Sequence, residues 1–188
     1  MSVSRRWTVA DLDEIEPKNG ERYEVIDGEL FVSPVPSWHH QYVGGRINTA
    51  LDLWSSETQR GTTLQAPGLV FSVERGVIPD LVWISWERLR EAEDRAGHFT
   101  LAPELVVEVL SPGSENVKRD RETKLAIYSE EGVREYWIVD QQQRTIDVYR
   151  QRDGALEHVE TIPERGVLES PLLPGFRLEV ERIWPPAR

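Results

Sequence analysis

Residues 105–110 decide the expected fold, because they place one acid inside an apolar run: Leu105-Val106-Val107-Glu108-Val109-Leu110. The length of this run and its β-branched residues are typical of a strand that is buried on both faces of a sheet. A carboxylate in such a strand is costly unless a metal or another cation compensates its charge. Glu108 is therefore a candidate site residue, and the alternative is a buried ion pair.

A second acid interrupts a second apolar run, Val77-Ile78-Pro79-Asp80-Leu81-Val82-Trp83-Ile84. We expect this run to form another buried strand. Two such acids in one domain predict a site for a hard divalent cation, Mg²⁺ or Mn²⁺, because these ions prefer oxygen ligands. The alternative for Asp80 is an acid at a strand end that caps a helix or pairs with an arginine.

A lysine follows the second acid on a predicted helix, which runs from about Glu115 to Glu130 and stops near Gly132. Lys124 could stabilise charge that develops on a phosphate, or position the attacking water. With a metal at the two acids, this set suits hydrolysis of phosphodiester bonds. Two alternatives stay open: Lys124 could form an ordinary i,i+4 pair with Asp120, or Arg121 could serve in its place.

The remaining pattern alternates helices and strands. A hairpin is predicted over residues 22–32, with Asp27-Gly28 as a favoured two-residue turn. Apolar residues at helical spacing predict a helix from Ser37 to about residue 57, and two strands are expected within residues 62–84. Further strands are expected at 136–140 and 145–150. The pattern predicts a single α/β (α+β) domain over residues 1–188, with a mixed central sheet flanked by helices and an N-terminal β-hairpin.

Composition narrows the classes of function. The chain has 188 residues and no cysteine, which excludes disulfides, cysteine-ligated zinc and thiol nucleophiles. No apolar run approaches the roughly 20 residues of a membrane span, and no signal peptide is evident, so we expect a cytoplasmic protein without a membrane partner. The net charge of −11 argues against tight, general DNA binding. It leaves room for an acidic metal site that acts on phosphodiesters.

Several motifs resemble known nucleases. The order of acid, acid and lysine resembles the PD-(D/E)XK superfamily, although Leu110 stands where its lysine normally follows the second acid by two residues. The chain also resembles the Uma-two family of endonucleases from about Thr8 to Trp184. The motifs that carry this second resemblance are Tyr23-Glu24-Val25-Ile26-Asp27-Gly28-Glu29-Leu30, Pro79-Asp80-Leu81-Val82, Pro103-Glu104-Leu105-Val106-Val107-Glu108-Val109-Leu110-Ser111-Pro112, Lys124-Leu125-Ala126-Ile127-Tyr128 and Gly132-Val133-Arg134-Glu135-Tyr136-Trp137-Ile138-Val139-Asp140.

The resemblance implies a restriction-endonuclease-like core with a migrated lysine. Lys124 would then come from the helix after the second acidic strand and point where a lysine at Leu110 would have pointed. Glu24 matches an early acid of the family and is expected near the same site. The implied activity is metal-dependent cleavage of a nucleic acid, DNA rather than RNA, by a homodimer. The alternative is a non-catalytic nucleic-acid- or protein-binding module that keeps the nuclease fold.

Three other residues have open interpretations. His39 and His40 lie together at a helix start, where they are either caps, surface residues or, for His40 above all, part of the rim of the site. Tyr128 falls one turn after Lys124 and is predicted to be a core residue.

Overall fold

The computed structural model describes residues 5–16, 18, 20–94 and 96–186. The helices are α1 (Trp38–Thr58), α2 (Trp86–Ala92), α3 (Ser114–Lys118) and α4 (Leu125–Glu130), with a π-helical segment (Arg119–Lys124) between α3 and α4 and 3₁₀ turns at Val9–Glu14 and Val180–Ile183. The strands are β1 (Arg22–Ile26), β2 (Glu29–Ser33), β3 (Gly61–Gln65), β4 (Leu69–Ser72), β5 (Arg75–Val77), β6 (Leu81–Ser85), β7 (Leu105–Val109), β8 (Glu135–Asp140), β9 (Thr145–Arg152), β10 (Ala155–Ile162), β11 (Val167–Ser170) and β12 (Leu173–Glu179).

A six-stranded sheet forms the centre of the molecule, in the order β10-β9-β8-β7-β6-β3. The sheet is mixed, because β7 and β8 run parallel while the other neighbours are antiparallel. Parallel neighbours need a long crossover, and the helical run over residues 114–130 supplies it. The expected mixed central sheet flanked by helices is confirmed.

Successive side chains of each strand lie on opposite faces of the sheet, so the apolar residues of the sheet belong to two separate cores. One core lies between the sheet and α1 together with β11 and β12, and it includes Val107 and Trp137. The other core lies beneath α2 and α4, and it includes Val106 and Ile138. Glu108 has the same parity along β7 as Val106, so its side chain lies on the face that α4 covers.

The N-terminal hairpin belongs to a second, four-stranded sheet in the order β2-β1-β5-β4. Asp27 and Gly28 form its turn with φ values of 51° and 83°, as the Asp-Gly signal requires. The expected hairpin is confirmed. Val25 of β1 pairs with Gly76 of β5, and this pairing brings the hairpin beside the segment that carries Asp80.

The strand expected over residues 77–84 is interrupted. β5 ends at Val77 and β6 begins at Leu81, so Asp80 lies in the link just before a strand and not inside one. Pro79 contributes to this break because it has no N–H to donate to a strand ladder. The region 61–85 accordingly holds four short strands, where the sequence pattern indicated two. Among the helices described, none combines the length and apolar character that a membrane crossing requires.

Candidate functional site

The crossover helix carries polar side chains onto the face of the central sheet. Asp120, Lys124 and Tyr128 follow one another at four-residue spacing, and all three are buried. Asp120 and Lys124 belong to the π-helical segment, a geometry that is frequent at functional sites. Asp120 and Lys124 are ionisable residues of opposite charge type, and Tyr128 brings a phenol. All three lie on one side of the helical run, which packs against β7, the strand that carries Glu108.

Lys124 and Tyr128 both donate to Glu108. Lys124 Nζ and Tyr128 Oη each lie 2.9 Å from Oε1 of Glu108. Glu108 is 3% exposed and Lys124 is 2% exposed, so the ion pair is shielded from water. The expected position of the lysine beside the second acid is therefore present, although the i,i+4 contact with Asp120 also exists at 3.9 Å.

A third acid reaches Lys124 from the hairpin sheet. Oε1 of Glu24 lies 2.9 Å from Lys124 Nζ and also accepts the backbone N–H of Ile78 at 2.8 Å. Arg22 and Glu24 are two residues apart on β1, and this spacing places them on the same face of the strand. The hairpin thus contributes one acid and one arginine to the site.

Asp80 is held by three donors. Arg22 Nη1 lies 2.7 Å from Oδ1, while His40 Nε2 at 3.0 Å and the backbone N of Val109 at 2.9 Å both contact Oδ2. Burial raises the pKa of Asp80, but the contacts with His40, Val109 and Arg22 outweigh it and hold the pKa at about 2. Asp80 is an anion at neutral pH, and it lies next to the strand that carries Glu108.

Asp120 adds a fourth carboxyl group, whose charge is only partly balanced by nearby cations. Its Oδ1 is buried and has no hydrogen-bond partner among the described residues. The nearest cations are Arg119 Nε at 3.7 Å and Lys124 Nζ at 3.9 Å. Arg119 Nε is likewise buried without a hydrogen-bond acceptor in the described part of the chain. Burial raises the pKa of Asp120, despite the opposing charges of Lys124 and Arg119.

The crowding of acids shapes the protonation of the site. Burial raises the pKa of Glu108 to about 8; Lys124 opposes this shift, and the charges of Asp80, Asp120 and Glu24 reinforce it. Burial lowers the pKa of Lys124, but the charges of Glu108, Glu24 and Asp120 outweigh it and leave the pKa above its usual range. Lys124 is therefore charged at neutral pH, and burial makes Glu108 hold its proton more tightly than an exposed glutamate does.

The site offers carboxylate oxygens, the type of ligand that a hard divalent cation prefers. Glu108 and Asp80 line one small cavity of about 40 Å³ together with Asp120 and Lys124. Oδ1 of Asp120 accepts no hydrogen bond from the described residues, so this oxygen is available as a ligand. Across the described ranges, no group of three or more His, Cys, Asp or Glu side chains is already arranged to hold a metal ion. Mg²⁺ is nevertheless commonly held by one or two carboxylates with water and substrate phosphate.

The structure assembles most of the residues that the sequence singled out. Asp80, Glu108, Lys124 and Glu24 line one cavity, with His40 on Asp80. His39 is exposed and stacks on Trp38, with 3.7 Å between the ring centroids, so it does not join this group.

One alternative is wrong, and one prediction is confirmed with an additional contact. Arg121 does not replace Lys124, because its guanidinium pairs with Asp147 at 2.6 Å and Asp140 at 3.5 Å. Tyr128 is buried as expected, but it is also a direct hydrogen-bond partner of Glu108.

The sequence interpretation missed Arg22, Arg119 and Asp120 as members of the site. Arg22 carried a usable signal, since it shares a strand face with Glu24. Asp120 also carried one, because it precedes Lys124 by one helical turn. Arg119 carried none, because a helix surface and a site wall cannot be distinguished at that position without the packing.

Comparisons with known proteins agree with this architecture. The family model of Uma2, described as "Putative restriction endonuclease", matches residues 9–181. Among solved structures, a "putative nuclease belonging to DUF820" from Anabaena variabilis ATCC 29413 matches with a TM-score of 0.75 and 17% identity, over 94% of this chain and 96% of that chain. At this identity the likeness shows the fold. No match to the chain is found among curated proteins. Because the family model covers nearly the whole chain, the protein belongs to the Uma2 (Uma-two) family.

Proposed function

We propose that the protein is a metal-dependent endonuclease that hydrolyses phosphodiester bonds of nucleic acids. The observation that carries the proposal is the position of Lys124, whose Nζ lies 2.9 Å from both Glu108 and Glu24 in a cavity that Asp80 also lines. Leu110, at the place where a lysine follows the second acid in many related nucleases, is a buried apolar residue. A lysine supplied by the crossover helix would restore the missing charge.

Each residue has a distinct role in this proposal. Asp80 and Glu108 would hold the cation, with Asp120 as a further oxygen ligand. When bound, Mg²⁺ or Mn²⁺ polarises a phosphoryl oxygen and lowers the pKa of a coordinated water. Lys124 has three N–H donors, two of which face Glu24 and Glu108, so the third is available for a phosphate oxygen or the attacking water. Glu24 positions Lys124.

The reaction needs an acceptor for the proton of the attacking water. Water attacks phosphorus, the bond from phosphorus to the leaving sugar oxygen breaks, the attacking water gives up a proton, and the leaving oxygen takes up a proton from solvent. Glu108 is already assigned to the cation, so the attacking water would release its proton to solvent, while Lys124 stabilises the negative charge on the phosphate. Lys124 thus supplies the positive charge, and Glu108 holds it in place through a hydrogen bond of 2.9 Å.

The test compares three conservative variants. We expect Asp80→Asn and Glu108→Gln to lower cleavage of plasmid and oligonucleotide substrates at least 100-fold in Mg²⁺ or Mn²⁺. The matched control is Glu135→Gln, since Glu135 is an equally buried acid on β8 that is held by Trp137 and Ser170 outside the site. Titration of Mn²⁺ by calorimetry on the same samples measures binding separately. Undiminished cleavage in either site variant would remove that residue from the mechanism.

A specific observation favours the alternative of a binding module without catalysis. Both oxygens of Asp80 are engaged by Arg22, His40 and Val109, so a metal would have to displace a donor from that carboxylate. Such a protein would keep the fold and bind a nucleic acid or a protein without cutting. Calorimetry would then detect no Mn²⁺ binding in the wild type, and the buried acids would be structural.

The proposal extends to the substrate and the assembly. DNA is the proposed substrate, and a homodimer the proposed assembly, because two sites are needed to cut both strands of a duplex at one place. Light scattering measures the mass in solution, and supercoiled plasmid distinguishes nicking from double-strand cleavage. A monomer that linearises plasmid in a single binding event would contradict the dimer.

A further inference from the structure

A larger cavity of about 600 Å³ adjoins the candidate site. Ser111 lines both cavities, so the larger one begins next to the end of β7, where Val109 binds Asp80. Its volume lies in the range of small-molecule pockets, which is roughly 300–1,000 Å³. None of the roles proposed for the acids and Lys124 uses this space.

Three of the residues that line the cavity have flat aromatic side chains. Trp38 and His39 at the start of α1 are stacked on each other at 3.7 Å, and the indole of Trp38 is 52% exposed. Trp184 lines the cavity as well, and the Arg144 guanidinium lies 5.6 Å from the centroid of its ring. Walls of this kind suit a planar, aromatic ligand.

Two donors at this cavity lack acceptors. Trp184 Nε1 and Arg144 Nε are both buried, and neither has a hydrogen-bond partner among the described residues. Trp184 is only 5% exposed, so water does not compensate its N–H from the open surface. The same burial keeps both atoms out of reach of a ligand, so the accessible donor at this cavity is the rest of the Arg144 guanidinium, whose side chain is 39% exposed.

We propose that this cavity binds a nucleobase of the nucleic-acid chain, next to the phosphate that the catalytic site holds. The inference rests on the proposed function, since it adds a base subsite to a phosphodiester site. Nucleobases have flat faces that stack on aromatic side chains, and ring nitrogens and carbonyl oxygens that accept hydrogen bonds. The exposed part of the Arg144 guanidinium would donate to these acceptors. A base splayed out of the strand could reach the cavity while its phosphate stays at Asp80 and Glu108.

The first experiment uses mononucleotides without metal. Calorimetry in EDTA compares 2′-deoxyadenosine 5′-monophosphate with 2-deoxyribose 5-phosphate, which lacks the base. We expect the base to tighten binding at least tenfold. Arg144→Asn should reduce that advantage at least fivefold, and Asn suits the φ of 53° at this position. Trp38→Ala removes an exposed aromatic surface from the same cavity, and it should weaken nucleotide binding in the same direction.

A matched control separates the cavity from the surface charge. Arg144 also pairs with Glu164 at 3.0 Å, so Glu164→Gln removes that ion pair but keeps the guanidinium. Glu164→Gln should bind both probes as the wild type does. Equal affinity for the two probes in the wild type, or an unchanged base advantage in Arg144→Asn, would overturn the proposal.

A second arm asks whether the base belongs to a chain or to a free nucleotide. Anisotropy in EDTA compares a single-stranded oligonucleotide with versions that carry one abasic site at successive positions. We expect one position at which the missing base weakens binding at least threefold in the wild type but not in Arg144→Asn. Mononucleotide binding without any such position would overturn the assignment to the substrate chain.

Parallel cleavage assays keep the two proposals distinguishable. A base effect without any cleavage would leave the subsite standing and remove the nuclease activity. Cleavage without a base effect would do the reverse.

Discussion

Replacement of Lys124 by methionine tests whether the buried site is an electrostatic unit. The change keeps the length and the apolar stem of the side chain but removes the only amine that lies within hydrogen-bond distance of both Glu24 and Glu108 among the described residues. Two carboxyl groups that are each about 3% exposed would then face each other without that charge. The folded protein can avoid this state by keeping one additional proton on the pair.

The cost of that proton sets the magnitude and its pH dependence. An unfolded glutamate has a pKa of about 4.3, and each pH unit above it adds about 1.4 kcal/mol to the free energy of keeping the carboxyl group protonated. We therefore expect a loss of stability of roughly 4–5 kcal/mol at pH 8, which agrees with the ~3–5 kcal/mol typical of a broken buried ion pair. At pH 5 the expected loss is about 1 kcal/mol.

The lysine itself does not produce this difference. Its pKa is raised above 10.5 in the folded protein, so its contribution to stability is fully present below that value and is lost only as the pH rises through the folded pKa. The interval from pH 5 to pH 8 lies below the ordinary lysine pKa of 10.5 and below the pKa of Lys124 in the folded protein. A change in the cost of Lys124→Met over this interval therefore reports on the carboxyl groups.

Urea unfolding, followed by tryptophan fluorescence, measures the loss of stability of Lys124→Met at pH 5 and at pH 8. Lys118→Met is the matched control, since Lys118 is exposed and lies in the same helical run. Its cost should stay below about 0.5 kcal/mol at either pH, as for an ordinary surface position. The reasoning fails if Lys124→Met costs the same at pH 5 and pH 8, or if its cost at pH 8 matches that of the control.

Three further substitutions probe the same site. Asp80→Asn should lower stability at pH 7 by about 2 kcal/mol, because the pKa of Asp80 is lowered from 3.8 to about 2 in the folded protein. This contribution is present above pH 3.8 and is lost as the pH falls toward 2, so a stability difference from the wild type that persists at pH 2 in urea titrations would contradict it. Glu108→Gln should gain stability relative to the wild type as the pH rises from 4.5 to about 8, by at most about 1.4 kcal/mol per pH unit. The reason is that Glu108 of the folded wild type retains a proton over this interval, whereas the unfolded chain loses it; stability profiles of the two proteins that run parallel would refute this. Tyr128→Phe removes the phenol that donates to Glu108 and should cost about 1–2 kcal/mol in thermal or urea unfolding, whereas no loss would mean that the hydrogen bond is dispensable.

Local patterns predicted the fold wherever one period dominates. The Asp27-Gly28 turn, helix α1 and strand β7 follow from a turn signal, a helical period and an apolar run, and all three are present. The pattern failed over residues 61–85, where apolar residues continue across Pro79 and hide a break between strands. Apolar runs record burial, and a buried link between strands has the same composition as a strand.

The candidate site could be predicted only in part, because its residues come from separate elements. Glu108 and Asp80 were visible, since acids within apolar runs are rare and need compensation. Lys124 was not separable from a surface i,i+4 pair with Asp120 by the residues alone, and the family resemblance supported its assignment. The partnership of Arg22 with Asp80 depends on how the hairpin sheet packs beside β6, and no local pattern of residues 20–30 encodes that packing.

The site also explains why its own elements must dock together. Lys124 on the crossover helix contacts Glu108 on β7 and Glu24 on β1, so three elements meet at one charged atom. If the hairpin sheet separated from the core, Glu24 would be hydrated again, and Lys124 would lose one of its carboxyl partners. The same separation would remove Arg22 from Asp80 and leave that carboxylate with His40 and Val109. The geometry proposed for catalysis thus exists only in the fully packed molecule, and a substitution that loosens the hairpin should reduce cleavage before it unfolds the chain.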